Sequence, residues 1–244
     1  MRNPIPQRRP GRWRRSVLMA LTPLALLHAA PSQADGEAKL SGDLGLGVDR
    51  VAPYVRGATR RTDVVPYVNL EYGRWFARID TLGAQCLPVG WGHVEAVVQI
   101  RTDGYRLAGR PDRADSTPVG IGTLQITPVG AFGLHVLHDF GPSGGNLVEA
   151  RYLAELPLGR VRIYPELGAE YQDRRYVRYY NLAADGSATG RAALNPYVGG
   201  MVETEITPHW VANVYLRHRL LDARATDGAH RRPTDVLAAL AYRF

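Results

Sequence analysis

A single cysteine, Cys86, is all the chain has in 244 residues. No intramolecular disulfide can form, so the fold must hold in an oxidising compartment without a covalent cross-link. A lone thiol can serve as a nucleophile, but Cys86 lies in a strand-like stretch and reads as a wall side chain. After residue 34 no apolar run is long enough for a membrane-spanning helix. Helical membrane proteins are thereby excluded, whereas membrane barrels are not, because their apolar residues alternate with polar ones. Acidic residues are missing before Asp35, while that segment holds Arg2, Arg8, Arg9, Arg12, Arg14 and Arg15. The remainder carries 24 Lys and Arg against 23 Asp and Glu, a net of +1. The basic pI therefore comes from the leader, and no nucleic-acid partner is expected of the folded part.

That leader reads as an address. Met1–Arg15 is a basic n-region, Val17–Ala30 is a short apolar run cut by Pro23, and Ser32-Gln33-Ala34 offers small residues at −3 and −1. This order is a secretory signal peptide over 1–34, with cleavage after Ala34. Arg14-Arg15 also fits a twin-arginine signal, although an ordinary basic n-region explains it. Residues 35–42 follow as a short periplasmic segment.

From residue 43 onward the hydropathy has period two. Leu44, Leu46 and Val48 alternate with Gly45, Gly47 and Asp49; Trp210, Ala212, Val214 and Leu216 alternate with Asn213, Tyr215 and Arg217. Period two means strands with unlike faces. No helix stands out. Eleven strands are clear, at about 43–51, 63–72, 75–82, 93–103, 118–127, 129–140, 146–156, 160–172, 193–207, 209–221 and 235–244. They run longer than soluble strands, which peak near ~5–6 residues. Their polar faces are too charged for a dry core and suit a wet lumen. Short turns (Tyr72-Gly73-Arg74, Thr127-Pro128, Pro157-Leu158-Gly159, Thr207-Pro208-His209) alternate with longer loops, as in outer-membrane barrels.

The expected fold is therefore an all-β, antiparallel up-and-down transmembrane barrel over 43–244. An odd strand count would leave the termini on opposite sides, so a missed strand at Ala84–Val89 is expected despite Pro88. Twelve strands is the expectation, with ten as the alternative. Tyr72, Trp75 and Trp210 sit near one end as an interface girdle. A turn at 157–160 would set Glu155 opposite Arg162 and Arg151 opposite Glu166 as charge pairs across the lumen. Gly120, Gly122, Gly199 and Gly200 read as bends or tight lumen packing, because no helix follows them to make a phosphate loop. His135 and Asp139 share a face, but no serine has a clear place beside them, and two ligands make a weak metal site. No catalytic, cofactor-binding or metal-ligating residue is assigned, and no cofactor is expected.

The end of the chain, Val236-Leu-Ala-Ala-Leu-Ala-Tyr-Arg-Phe244, resembles the C-terminal signal of outer-membrane proteins. Phe244, Tyr242, Leu240 and Ala238 match it, which implies recognition by the barrel assembly machinery and a place in the outer membrane of a Gram-negative bacterium, among its lipids. A second resemblance spans 43–244. Tyr54-Val-Arg-Gly57, Val65-Pro66, Tyr72-Gly73-Arg74-Trp75-Phe76, Leu107-Ala-Gly109, Tyr179-Tyr180 and Asn195-Pro-Tyr-Val-Gly-Gly200 resemble, in order, motifs of the MltA-interacting protein/OmpV (MipA/OmpV) family. Asn181-Leu182 and Arg232-Pro233 depart from its Gly-Val and Ser-Pro. The resemblance implies a scaffold joining a murein transglycosylase to a murein synthase. A porin-like channel is the alternative, and a lipid hydrolase using His135 ranks behind both.

Overall fold

The computed structural model describes residues 39–55, 57–182, 190–222, 226 and 232–244. The signal peptide over 1–34 lies outside the described residues, as do 35–38.

Alternating side chains and tight turns dictate a meander, and the chain forms one. Its strands are β1 (Ser41–Val51), β2 (Arg61–Tyr72), β3 (Trp75–Arg78), β4 (Thr81–Val89), β5 (Gly92–Gln99), β6 (Val119–Thr127), β7 (Gly130–His138), β8 (Asn146–Leu153), β9 (Leu156–Leu158), β10 (Val161–Gln172), β11 (Ala193–Thr207), β12 (Trp210–Arg219) and β13 (Thr234–Arg243). β8 and β9 both pair with β10 and form one interrupted crossing, so the wall has twelve crossings, as expected. The last strand β13 pairs with the first, β1, and the sheet closes into a ring. Closure leaves no long free edge and satisfies the backbone strand by strand.

The two faces of this wall are inverted relative to a soluble protein. Leu46 is 65 % and Val64 73 % exposed on the outer face, along with Ile121, Leu134, Val136, Leu167 and Leu240. Glu95, Glu149, Glu166, Glu170, His135 and Arg217 are buried in the lumen. Among the described residues no helix is long and apolar enough to cross a membrane.

Four sequence expectations need correction. The strand read at 75–82 is two strands: β3 stops at Arg78, the chain reverses at Ile79-Asp80, and β4 returns as the missing strand. Ile79, with φ 54°, is the only non-glycine residue with positive φ among those described. A bulge between Gln85 and Leu87 leaves Cys86 exposed and breaks the alternation, which hid this strand. Pro88 is tolerated because β3 ends its pairing at Ala84.

The second correction concerns register. Pro157 and Leu158 remain in the sheet, and Gly159-Arg160 makes a two-residue turn with Gly159 at φ 65°. Leu158, not Leu156, faces Val161. Arg162 therefore stands opposite Pro157, Arg151 opposite Gly168 and Glu166 opposite Leu153. Neither Glu155–Arg162 nor Arg151–Glu166 forms the expected pair. A shift of two residues keeps the pleat, so Arg151, Arg162 and Glu166 still face inward.

The third is a helix, α1 (Arg174–Tyr180), inside the loop expected at 173–192. At seven residues it is too short for its period to show in the sequence. The fourth is the reach of β7, which ends at His138, so that Asp139 belongs to the following loop.

Gly122 shows why small residues recur on the inner face. A Cβ there would lie 2.0 Å from Cδ2 of His135 and 2.6 Å from the Leu134 carbonyl oxygen. Gly122→Ala is expected to destabilise the barrel by about 1–3 kcal/mol through overpacking. Urea unfolding of the refolded protein measures this, and an unchanged midpoint would contradict the packing described.

Candidate functional site: a filled and capped lumen

Charged side chains on inner faces meet across the ring rather than along one hairpin. Arg217 on β12 reaches Glu166 on β10 at 3.1 Å and Glu149 on β8 at 3.7 Å. Its guanidinium carbon lies 4.4 Å from the centre of the Tyr197 ring. Tyr197 donates its hydroxyl to Glu149 at 2.8 Å, and Tyr215 donates to Glu166 at 2.7 Å. Gln99 donates to Glu149 at 3.4 Å. Two buried carboxylates around one guanidinium would leave excess negative charge, and the donated hydrogen bonds offset it.

A second tier lies nearer the long loops. Arg101 pairs with Asp103 at 2.8 Å and with Glu170 at 2.6 Å. Gln172 donates to Glu170, and Asn181, just after α1, donates to Gln172 at 2.8 Å. Tyr176 of α1 donates to Asp103 at 2.5 Å. Burial works to raise the Asp103 carboxyl, but Arg101 and the Tyr176 hydroxyl outweigh it and hold it below its ordinary value.

The helix closes this end of the lumen. Tyr176, Val177 and Tyr180 are each 0 % exposed. Tyr176 and Tyr180 pack with Phe76, Val97, Leu137 and Leu147 from the wall, and Val177 packs with Leu182 and Ala193. Asp173 starts the helix by accepting the Tyr176 N–H at 2.9 Å. Partial burial pushes the Asp173 carboxyl up, yet hydrogen bonds from Tyr176, Asn146 and Arg175 prevail and lower it beneath 3.8. At the opposite end, where the short turns lie, Arg243 on β13 grips Asp43 on β1 at 2.8 Å and Glu203 on β11 at 2.9 Å. Arg162 also joins Glu203, at 2.6 Å. These contacts brace the seam where the ring closes.

The sequence-predicted residues fall as follows. Tyr72, Trp75, Trp210, Tyr242 and Phe244 are exposed on the outer face at the turn end. Trp210, Tyr242 and Phe244 form an edge-to-face series with ring centres 5.4–5.6 Å apart. Leu240 and Ala238 continue that face along β13. His135 and Asp139 have separate partners. His135 Nδ1 is 3.9 Å from Glu149, whereas Asp139 accepts from Gly141 and Ser143 within its own loop and from the Tyr180 hydroxyl of α1. Ser143 is thus beside Asp139 and not placed against His135. Among the described residues no group of three or more His, Cys, Asp or Glu could hold a metal ion.

Sequence reading missed the Arg217 cluster and the helical cap. Glu149 and Arg217 were legible as inward residues, but their partners lie two or three crossings along the ring.

Two outcomes test this site. Arg217→Ala should destabilise the barrel by about 3–5 kcal/mol, because Glu149 and Glu166 lose their shared cation. Adding Glu166→Gln should then cost less than it does alone, read as non-additive unfolding midpoints. For the cap, the lowered Asp173 carboxyl stabilises the fold above its unfolded pKa of about 3.8, and that contribution is lost as pH falls through the folded value. Protection factors of the amides over residues 174–180, taken against the intrinsic exchange rate at each pH, should fall on acidification in the native chain; in Asp173→Ala they should already be low at neutral pH. Exchange indifferent to both would contradict the capping role.

Residues 44–244 match the family model described as MltA-interacting protein MipA. A comparison with curated proteins finds no match. The match runs from the first strand to the final residue of the closed ring, and the chain belongs to the MltA-interacting protein MipA family.

Proposed function

We propose that this protein is an outer-membrane anchor that acts as a scaffold, gathering a murein transglycosylase and a murein synthase beneath the membrane. One observation carries the reading. The wall presents an apolar surface outward while its interior is occupied by ion pairs, tyrosines and a helical cap. A ring built that way holds a position without passing solute, so its business lies on its rims.

Membership of a family named for interaction with MltA supports a transglycosylase as partner. The turn end, which carries both described ends of the ring, is the end we assign to the periplasm. Phe244, Tyr242, Leu240 and Ala238 serve there as the sorting face read by the barrel assembly machinery. Tyr72, Trp75 and Trp210 form the girdle that sets depth among the lipids. The first 34 residues act as the export signal. The filled lumen counts against the porin-like alternative, and the separation of His135 from a serine counts against the lipid hydrolase.

Affinity capture from a detergent extract tests the scaffold. The purified, heat-modifiable barrel should retain a murein transglycosylase. A folded barrel that retains none would remove the proposal. In planar bilayers the same preparation should give no conductance steps above background, and regular steps would restore the channel reading.

A further inference from the structure

Many of the inward arginines of this barrel have a carboxylate within reach. Arg78, Arg101, Arg162, Arg217, Arg219 and Arg243 each pair with Asp or Glu. Arg61 is held by Asp115 and Asp63. Other described arginines, among them Arg74, Arg113 and Arg151, have no ion pair with a described carboxylate, but only in one place do three such arginines line a single described cavity. Arg50, Arg60 and Arg232 have no ion pair or hydrogen bond to any described residue, and they surround a cavity of about 290 Å³ that also touches Pro233, Thr234 and Val236.

The position of this cavity is set by the strand pairing. Arg50 is the outward neighbour, two and four residues on, of the exposed Val48 and Leu46, and it pairs laterally with Val236 and Thr62. Val236 in turn shares the outer face with Leu240 and Tyr242. The cavity therefore sits on the outer surface of the wall, at the loop end, directly above an apolar strip of Val48, Val236 and Leu240. The neighbouring carboxylate Asp235 points the other way, into the ion pair with Arg219.

A cluster of guanidinium groups with no partner among the described residues, above an apolar strip, is complemented by an amphiphile whose head carries several negative charges and whose tails lie along the wall. Guanidinium forks match phosphate oxygens in pairs, and basic pockets at the edge of a membrane wall bind anionic lipid heads. Three positive charges exceed what a single phosphodiester neutralises. We infer that Arg50, Arg60 and Arg232 form a binding site for the head of a multiply phosphorylated lipid in the surrounding leaflet. This rests on the outer-membrane barrel reading and adds to it a specific lipid contact at the seam of β13, β1 and β2.

The test uses the mature barrel in detergent and native mass spectrometry, with a bisphosphorylated glucosamine lipid, phosphatidylglycerol and inorganic phosphate as separate probes. The wild-type chain should bind the bisphosphorylated lipid saturably and phosphatidylglycerol more weakly. The triple variant Arg50→Ala/Arg60→Ala/Arg232→Ala should bind the bisphosphorylated lipid at least tenfold more weakly. Arg50→Ala and Arg232→Ala alone should each lose part of the affinity, which keeps the test decisive if the triple variant fails to fold. Equal binding by wild type and variants overturns the inference. So does full competition by inorganic phosphate at matched concentration, which would mark a free-phosphate site instead. Both proteins are also run on gels with and without heating. A heat-dependent shift in a wild type that binds no lipid sinks this site alone, whereas a missing shift sinks the barrel reading and the site with it.

Discussion

The ring depends on how it houses charge. An apolar outer face turns most polar strand residues inward, and a twelve-crossing wall leaves a lumen narrow enough for those residues to meet. Arg217 is where they do. It joins Glu149 and Glu166 from two other strands and lies against the Tyr197 ring, while Tyr197 and Tyr215 supply the remaining hydrogen bonds. Without that cation the two buried carboxylates would lose their shared ion-pair partner, and a buried charge left without its partner is costly. The same logic repeats at Arg101 near the loop end and Arg243 at the seam. Three arginines at three depths tie crossings that are distant in sequence, so the lumen acts as the core of this fold.

The cap follows from this arrangement. A filled middle gives α1 a surface to rest on, and its tyrosines bury against Leu137 and Leu147 rather than hanging over a hole. The helix is seven residues long, short of what an isolated helix needs in water. Its order comes from the Asp173 cap and from packing, which makes it a dependent element and not an independent lid. The outer rim differs again: there Arg50, Arg60 and Arg232 gather on the lipid side without a described carboxylate partner. Much of the interior charge is paired within the chain, whereas the rim cluster of Arg50, Arg60 and Arg232 has no described partner.

Much of this was legible in the sequence because strand physics is local. Alternation in 43–244 reported the faces, short turns reported the meander, and the oddness of eleven strands located β4 between residues 82 and 93. What failed was whatever depends on a single turn or on distant partners. Keeping Pro157 and Leu158 in the sheet moved the register by two residues and dissolved both expected charge pairs, although the inward face survived. The Cys86 bulge disguised a strand. Asp173 followed by Arg-Arg-Tyr-Val-Arg-Tyr-Tyr is a capped helix whose aromatic residues read equally well as a strand. Arg217 could be placed inward but not against Glu149 and Glu166, since no local pattern encodes which crossings face each other.

If the filled lumen passes no solute, as proposed, water-borne molecules do not reach its lining while the ring is folded. Leu137, 2 % exposed and packed beneath α1, is its most direct reporter. In a Cys86→Ser background, Leu137→Cys can be challenged with a water-soluble thiol reagent in the folded state and again after unfolding. The account predicts no labelling until the barrel unfolds. Rapid labelling of the folded, heat-modifiable protein would contradict it.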